Sequence, residues 1–405
     1  MSDLGDGVVV VGAGVAGLAA AGRLRRAGVS VTLVEAAARI GGRARTTTVG
    51  GSPFDLGATW LHAAQRNPLV ALAAPEDRLR DSDAARRERV FIGGRPATAA
   101  ERAAYEAAGE RLADVVAPAL AGPDMSLAEA MAPMAADPWA ATVALWEGAI
   151  IAAADADALS LRDWHRNALD GPNLQPEGGV GAFVARRLGT EVSLETQVSA
   201  IDWAGPGVRV ETSRGSLRAA AAIVTVSTGV LAAGSIRFTP ALPGAVQWAI
   251  EGLPMGLLSK IALPMERPGE WEADLLLVDR AQPITFNAWP DGRPYVTGFV
   301  GGRLAWSLAA DAGEAARFAR DALRAMTGLR SEGVAVLSDW GTDPLARGAY
   351  AFARPGDSGQ RDVLAAAFVG ERLIFAGEAA CTDGLAGTVG GAYLSGEAAA
   401  ARLLG

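Results

Sequence analysis

The sequence predicts an α/β fold with a Rossmann-like domain and a second, α+β domain. Four valines at residues 8–11 lead into a Gly-x-Gly-x-x-Gly turn at residues 12–17. A predicted helix over 18–26 and a predicted strand over 29–34, ending at Glu35, follow the turn. Strand, glycine turn, helix, strand and terminal acid in this order form one βαβ unit that holds a dinucleotide.

Each glycine of the turn has a separate physical role. Gly12 permits the tight turn, Gly14 lets the main chain approach a pyrophosphate, and Gly17 lets the helix pack close to the strand. The helix N-terminus then faces the phosphate charge. Glu35 lies where a carboxylate can accept hydrogen bonds from ribose hydroxyls. We predict that these residues, together with Ala16 inside the turn, bind the dinucleotide.

Composition limits the class of protein. The 405 residues, half of them hydrophobic, can form a large core and two domains. The formal net charge of −8 argues against nucleic acid and anionic membranes as partners. Cys381 is the only cysteine, so no internal disulfide can form and a reducing compartment is expected. No signal peptide or long apolar run is evident, so we expect a soluble, cytoplasmic protein without a membrane anchor.

The middle of the chain changes its pattern several times. Residues 63–175 are Ala-rich with helical spacing and proline breaks, and a polar loop is expected near 80–90. After Leu231, extended runs alternate with turns, which predicts an antiparallel sheet followed by a helix at 313–326. Between these parts we predict a helix up to Leu188 and strands at 191–197, 207–212 and 222–226.

These patterns divide the chain into five predicted segments that alternate between a cofactor domain and a substrate domain. The cofactor segments are 1–62, 176–230 and 339–405; the substrate domain takes its helical part from 63–175 and its sheet from 231–338.

Four further motifs lie toward the two ends of the chain. They are Arg39-Ile40-Gly41-Gly42-Arg43, Asp55-Leu56-Gly57-Ala58-Thr59-Trp60-Leu61-His62, Phe375-Ala376-Gly377-Glu378 and Gly387-Thr388-Val389-Gly390-Gly391-Ala392-Tyr393. In this set and order the chain resembles the flavin-dependent amine oxidases, a family that includes monoamine and polyamine oxidases and flavin histone demethylases. The resemblance implies FAD as cofactor, held by both ends of the chain.

The resemblance also assigns cofactor contacts to particular residues. Arg43 and Glu378 match residues that contact the phosphate, ribityl or flavin edge, and Val198 matches a main-chain contact to adenine. Thr388 would start a last helix aimed at the flavin, where the helix dipole stabilises negative charge. The full set of implied contacts is Gly42, Arg43, Gly57, Ala58, Thr59, Trp60, Val198, Trp340, Gly377, Glu378, Thr388 and Val389.

Lys260 is the candidate catalytic residue. Nearly all cations of the chain are arginines, yet this lysine lies in the middle of an apolar predicted strand. Burying an ammonium group is costly, which favours a functional role over a lysine that merely reaches solvent from a strand edge. In the family a lysine at this point is bridged by water to flavin N5 and helps O₂ to take electrons from reduced flavin.

The substrate side departs from the family pattern. His62, Trp60, Tyr350 and Leu385 match residues near the amine, although His62 fits a structural hydrogen-bonding role equally well. Several relatives place an aromatic residue just before the Thr-Val pair, where this chain has Gly384-Leu385-Ala386. That aromatic wall is lost or is supplied by another residue, for instance Trp60, Trp289, Phe286 or Tyr295.

The cofactor is expected to be noncovalent. Some monoamine oxidases bond FAD through a cysteine just before the residue that matches Tyr350, and this chain has Ala349 there. Cys381 lies elsewhere and is expected to be an ordinary buried thiol. Two histidines and one cysteine leave little from which to build a metal site.

Together these observations predict an FAD-dependent oxidase that oxidises an amine to an imine and passes the electrons to O₂, giving H₂O₂. The substrate would be a small-molecule amine, either a polyamine or a specialised amine, and the protein a monomer or homodimer. A flavin desaturase or biosynthetic oxidase of a specialised metabolite, or a flavin-binding protein without turnover, are the alternatives.

Overall fold

The computed structural model describes residues 6–405 and confirms the predicted fold class. The helices are α1 (Val15–Arg26), α2 (Ser82–Ala85), α3 (Ala99–Val116), α4 (Leu127–Ala130), α5 (Ala140–Ala144), α6 (Leu161–Arg166), α7 (Val180–Leu188), α8 (Thr228–Ala232), α9 (Gly244–Gly252), α10 (Gly302–Leu308), α11 (Ala312–Thr327), α12 (Gln360–Ala366) and α13 (Val389–Leu404). A π-helix covers Leu145–Ala152.

The strands are β1 (Val8–Val11), β2 (Val31–Val34), β3 (Thr46–Val49), β4 (Ser52–Asp55), β5 (Leu79–Asp81), β6 (Arg87–Ile92), β7 (Arg95–Pro96), β8 (Leu174–Pro176), β9 (Val198–Asp202), β10 (Val208–Thr212), β11 (Gly215–Ala219), β12 (Ala221–Val224), β13 (Arg237–Thr239), β14 (Met255–Gly256), β15 (Leu258–Pro264), β16 (Leu275–Asp279), β17 (Thr285–Ala288), β18 (Tyr295–Gly301), β19 (Val336–Leu337), β20 (Tyr350–Ala351), β21 (Phe368–Val369) and β22 (Leu373–Phe375).

The first sheet joins three distant parts of the chain. Its order is β2-β1-β12-β22-β21, and the first four strands are parallel. Val10 of β1 pairs with both Leu33 and Ile223, and all three side chains are buried. Helices α1 and α13 pack so closely beside this sheet that a Cβ on Gly396 would lie 2.1 Å from the Ala16 carbonyl oxygen. This layered arrangement confirms the predicted dinucleotide-binding unit.

The second large sheet carries the candidate catalytic lysine. Its order is β19-β15-β18-β17-β16-β6-β7, and neighbours are antiparallel except β16 and β6. One face packs against α11 and belongs to a closed apolar core with Ile261, Phe286 and Val296. Lys260 pairs with Phe299, which in turn pairs with Thr285, so these side chains share the opposite face.

Two predicted elements differ in the structure. The strand predicted at 191–197 is a loop, and the strand begins instead at Val198. Glu35 holds that loop through main-chain bonds with Ser193 and Thr196, and Glu195 takes a left-handed φ of 51° that no strand ladder accommodates. A four-stranded sheet of order β11-β10-β9-β13 then follows.

The polar stretch near 80–90 is largely not a loop. It contains β5, α2 and most of β6, whose Phe91 is buried in the core of the seven-stranded sheet. The charged residues between its apolar ones obscure the strand in the sequence. They are tolerated because β6 lies near the sheet edge, where Arg89 lies over the ring of Trp271.

Candidate active site

The glycine turn has the geometry that a bound pyrophosphate requires. Gly12 has a φ of +99°, and a Cβ on Gly17 would lie 1.8 Å from the Gly12 carbonyl oxygen. A Cβ on Gly14, by contrast, would meet no atom within 4 Å. Gly14 therefore faces open space at the N-terminus of α1, where the main chain can receive an anionic group. Ala16 is buried beneath α13, and its contact with the cofactor remains a prediction.

Glu35 closes the end of the βαβ unit. Its carboxylate accepts hydrogen bonds from the N–H groups of Ala13 (2.7 Å) and Ala37 (2.8 Å), one on each oxygen. A carboxylate oxygen can accept more than one bond, so capacity remains for a ribose hydroxyl. The residues of the first unit thus fit the adenosine end of a dinucleotide.

Arg43 and Glu378 connect two parts of the chain that are far apart in the sequence. Nη1 of Arg43 donates to Oε1 of Glu378 and to the Ala349 carbonyl oxygen, both at 2.8 Å. The Glu378 carboxylate also accepts from the Ala351 N–H group at 3.1 Å. The pair therefore fixes β20, which carries Tyr350.

The other residues predicted from the Gly-rich motifs lie around this pair. A Cβ on Gly42 would lie 3.2 Å from Cα of Gly14, and a Cβ on Gly57 would lie 1.8 Å from the Arg43 carbonyl oxygen. The Ala58 N–H donates to that same oxygen. Gly377 has a φ of +144° and open space beside it. Val198 is the buried first residue of β9, and its contact with adenine remains a prediction.

Lys260 is the only lysine of the chain, and only 5% of it is exposed. Its Nζ donates to the main-chain carbonyl oxygens of Asp55 (3.3 Å) and Gly57 and to Oγ1 of Thr59. Burial lowers the pKa of Lys260 to about 8, against the opposing charge of Asp55. Nζ thus lies among neutral acceptors, without a carboxylate in direct contact.

The surroundings of Lys260 are aromatic and rigid. Its Nζ lies 5.5 Å from the ring centre of Trp60 and 5.8 Å from that of Phe299. Trp340 is buried, and its Nε1 donates to the Leu56 carbonyl oxygen at 2.9 Å, which supports the chain that binds the lysine. Phe299 was not predicted; its pairing with Lys260 across the sheet is the signal that would have found it.

The proposed replacements for the missing aromatic wall separate into two groups. Trp60 lies beside Lys260. Phe286 is in register with Gly298 and Ile261, on the face opposite Lys260, so it does not line the amine site. Trp289 and Tyr295 are buried in the apolar core, and a role for them near the amine remains a prediction. Residues alternate between the two faces of a strand, which separates Phe286 from Phe299, and Trp289 lies just beyond the end of β17.

His62 belongs to a chain of hydrogen bonds that the sequence did not reveal. Nδ2 of Asn173 donates to Oδ2 of Asp83 at 2.7 Å, which orients the amide so that its Oδ1 faces Nδ1 of His62 at 2.7 Å. Nδ1 therefore carries the proton, and the lone pair of Nε2 is free to accept. Burial lowers the pKa of His62, which favours the neutral ring.

Tyr350 lies beside the turn that precedes α13, since a Cβ on Gly387 would lie 3.4 Å from its ring, and a role for both in the site remains a prediction. Thr388 caps the helix: its Oγ1 accepts from the Gly391 N–H at 3.0 Å and donates to the Leu385 carbonyl oxygen at 2.7 Å. The helix proper begins at Val389. The Tyr350 hydroxyl donates to the Ile151 carbonyl oxygen of the π-helix at 2.8 Å, and burial raises its pKa.

The burial of Leu385 does not support the prediction that this side chain contacts the substrate. Its side chain is 1% exposed and packs with Ala63 and Cys381. It therefore remains a prediction.

Among residues 6–405, no helix combines the length and the apolar character needed to cross a bilayer.

A parallel sheet with an open glycine turn, joined to a second sheet that buries a single lysine, is the architecture of an oxidoreductase that binds a dinucleotide. A family model described as flavin containing amine oxidoreductase matches residues 15–404. The chain belongs to this family and is an FAD-dependent amine oxidase.

Three relatives illustrate the similarity. Polyamine oxidase 4 of Oryza sativa subsp. japonica is 30% identical and covers 97% of this chain and 87% of its own length. The lysine-specific histone demethylase 1 homolog 2 of Arabidopsis thaliana is 28% identical, and the match covers 98% of this chain but 58% of the demethylase homolog. A solved structure of a putrescine oxidase double mutant, redesigned in its cofactor binding, superposes with a TM-score of 0.75 at 21% identity and covers 98% of both chains. That last likeness shows the fold.

Proposed function

We propose that this amine oxidase acts on a di- or polyamine, uses O₂ as electron acceptor and releases H₂O₂. The substrate class is supported by relatives that are named polyamine oxidases and by a putrescine oxidase of the same fold. The observation that carries the proposal is the buried Lys260 beside Trp60, whose ring centre lies 5.7 Å from that of His62.

When bound, FAD accepts a hydride equivalent from the carbon next to the amine nitrogen. The substrate amine must then be bound in its neutral form, because a protonated nitrogen has no lone pair to expel the hydride. We infer that Nε2 of neutral His62 accepts a hydrogen bond from the substrate nitrogen, since Asn173 and Asp83 hold the ring in that tautomer. The resulting imine is hydrolysed by water to an aldehyde and an amine.

Lys260 has a separate role in this proposal. Its ammonium group lies among the acceptors of Asp55, Gly57 and Thr59 and provides a fixed positive charge for the transfer of electrons to O₂. For each amine oxidised to an imine, two electrons and two protons pass to O₂ and form one H₂O₂.

We also propose that FAD is held without a covalent bond. Ala349 provides no thiol beside Tyr350, and Cys381 is buried against Ala63 and Leu385. Acid precipitation should therefore leave yellow FAD in the supernatant, and colour retained in the washed pellet would contradict this. A cytoplasmic location remains a prediction that the single cysteine supports.

The test is anaerobic flavin reduction by a panel of mono-, di- and polyamines across a pH series. Free amines titrate near pH 10.4, as lysine does, so the reduction rate at subsaturating amine should climb with pH from about 6 to about 10. Peroxide release in air checks the acceptor. A flat profile, or no amine that bleaches the flavin, would favour a desaturase or a flavin-binding protein without turnover.

A further inference from the structure

A buried ion pair, remote from Lys260, ties the helical part of the chain to the last cofactor segment. Nε and Nη2 of Arg361 donate to the two carboxylate oxygens of Asp163 at 2.7 and 2.9 Å. The exposed fractions are 2% for Arg361 and 3% for Asp163. Burying two charges gains little stability over apolar packing of the same volume, so the geometry that the pair imposes is its notable property.

That geometry is directed at β20 and at the segment after it. Arg361 also donates to the carbonyl oxygens of Ala351 (2.9 Å) and Ala379 (3.1 Å). Asp163 accepts from the Ala353 N–H group at 3.0 Å. Ala351 is thus bound on both sides, by Arg361 at its carbonyl and by Glu378 at its N–H group.

The same network reaches the turn before α13. Oδ1 of Asp163 accepts from Nδ2 of Asn167 at 3.0 Å, and Oδ1 of Asn167 accepts from the Ala386 N–H group at 3.1 Å. The two bound stretches touch each other, because a Cβ on Gly387 would lie 3.4 Å from the Tyr350 ring. One ion pair therefore fixes the positions of both Tyr350 and the turn at Leu385–Thr388.

We propose that Asp163 and Arg361 are positioning residues for amine oxidation, which fix the spacing between β20 and the turn at Leu385–Thr388. The inference rests on the proposed function and on the sequence prediction that Tyr350 and Leu385, one from each stretch, lie near the amine. The pair touches neither the Lys260 acceptors nor the glycine turn, so its influence falls on the reaction with amine and not on the reaction with O₂.

Three variants test the proposal in the FAD-loaded protein. Arg361→Lys keeps the charge but cannot reach all four acceptors from one ammonium position. Asn167→Ala removes the bridge to Ala386 together with the hydrogen bonds that Nδ2 donates to Asp163, and it leaves the Arg361–Asp163 ion pair in place. Asp362→Asn is the matched control, because Asp362 is the sequence neighbour of Arg361 and pairs with Arg166 at the surface, outside the network.

Two measurements apply to each variant. Stopped-flow kinetics separates anaerobic flavin reduction by amine from reoxidation by O₂. For Arg361→Lys, reduction should slow by about tenfold or more, as expected for a displaced pocket. Reoxidation should change by no more than about twofold, since its residues are untouched. Hydrogen exchange of peptides covering 350–353 and 383–389 should rise in Arg361→Lys, and in Asn167→Ala the rise should be confined to 383–389.

Equal slowing of both half-reactions, or unchanged reduction with unchanged exchange, would overturn the proposal. If Arg361→Lys does not fold, the comparison of Asn167→Ala with the control Asp362→Asn tests the proposal. Identical kinetics and exchange in these two variants would also overturn the proposal. Failure of the parent protein to react with any amine refutes the proposed function instead. In that case the exchange pattern alone still tests whether the network fixes the two stretches.

Discussion

Nη1 of Arg43 lies 2.8 Å from Oε1 of Glu378, and this ion pair joins residues that are 335 positions apart in the chain. The same two side chains bind the carbonyl of Ala349 and the N–H group of Ala351. The stretches around Arg43 and Glu378 are thereby fixed to β20. Loss of either partner should loosen all three at once.

Glu378→Gln tests this connection. The variant removes the charge of a buried acid, and we expect the free energy of unfolding to fall by about 1.5–3 kcal/mol, the value of a hydrogen bond to a charged group. Urea unfolding of the loaded protein measures it. Glu397→Gln is the control, since Glu397 pairs with the more exposed Arg23 and Arg26 and should cost less than about 1 kcal/mol. Equal losses in the two variants would contradict the interpretation.

Alanine substitutions at two glycines of the turn should affect different properties, protein stability for Gly17 and FAD affinity for Gly14. Gly17→Ala places a Cβ 1.8 Å from the Gly12 carbonyl oxygen, so the protein should lose about 3 kcal/mol of stability. Gly14→Ala meets no atom within 4 Å, so the apoprotein should keep its melting temperature while FAD affinity falls. Melting curves and FAD titration of the apoprotein distinguish these outcomes. Unchanged FAD affinity in Gly14→Ala would place the pyrophosphate elsewhere.

Glu35→Ala should weaken FAD binding at least several-fold. The carboxylate is a charged acceptor at the end of β2, and a hydrogen bond of that kind contributes about 1.5–3 kcal/mol. Glu35→Gln keeps one acceptor oxygen and should lie between the parent and Glu35→Ala. Isothermal titration of the apoprotein with FAD provides the comparison. Identical affinities across the three proteins would mean that the ribose does not bind at this strand end.

Lys260→Met should slow reoxidation by O₂ far more than anaerobic reduction by amine. In the parent protein the reoxidation rate should fall as the pH passes about 8, where Lys260 loses its charge, and the variant should lack this step. Stopped-flow mixing of reduced enzyme with O₂ across the pH series is the measurement. Equal slowing of both half-reactions would remove Lys260 from its assigned role.

The same titration affects folding. The pKa of Lys260 falls from 10.5 to about 8 on folding, so between these pH values the unfolded chain holds a proton that the folded chain has lost. The free energy of unfolding should therefore increase as the pH rises through this window. Lys260→Met should lack that increase, so the difference between the two proteins isolates the contribution of Lys260.

The sequence alone was sufficient where the signal is local or chemically unusual. The βαβ unit follows from residues 8–35, because glycine spacing and strand pattern act over short distances. Lys260 was recognisable because a charged residue in an apolar strand is rare.

The remaining parts of the site depend on contacts that no spacing encodes. Asn173 contacts His62, and Asp83 of α2 contacts Asn173. Neither lies in a pattern that distinguishes it from an ordinary surface polar residue. Phe286 and Phe299 are both strand aromatics, and only the register of the folded sheet shows which of them faces Lys260. Asp163 and Arg361 are 198 positions apart, and separately each resembles an exposed helix charge.

The single lysine gives the protein one defined side-chain site for reagents that modify amines. Apart from the amino terminus, Nζ of Lys260 is the only primary amine that an acylating or aldehyde reagent can modify. Its lowered pKa increases the fraction of reactive free amine at neutral pH, while its burial shields it from bulky reagents. The extent of labelling at Lys260 would therefore report how accessible the interior of the protein is to small reagents. An aldehyde reagent would attach to one defined atom, Nζ of Lys260.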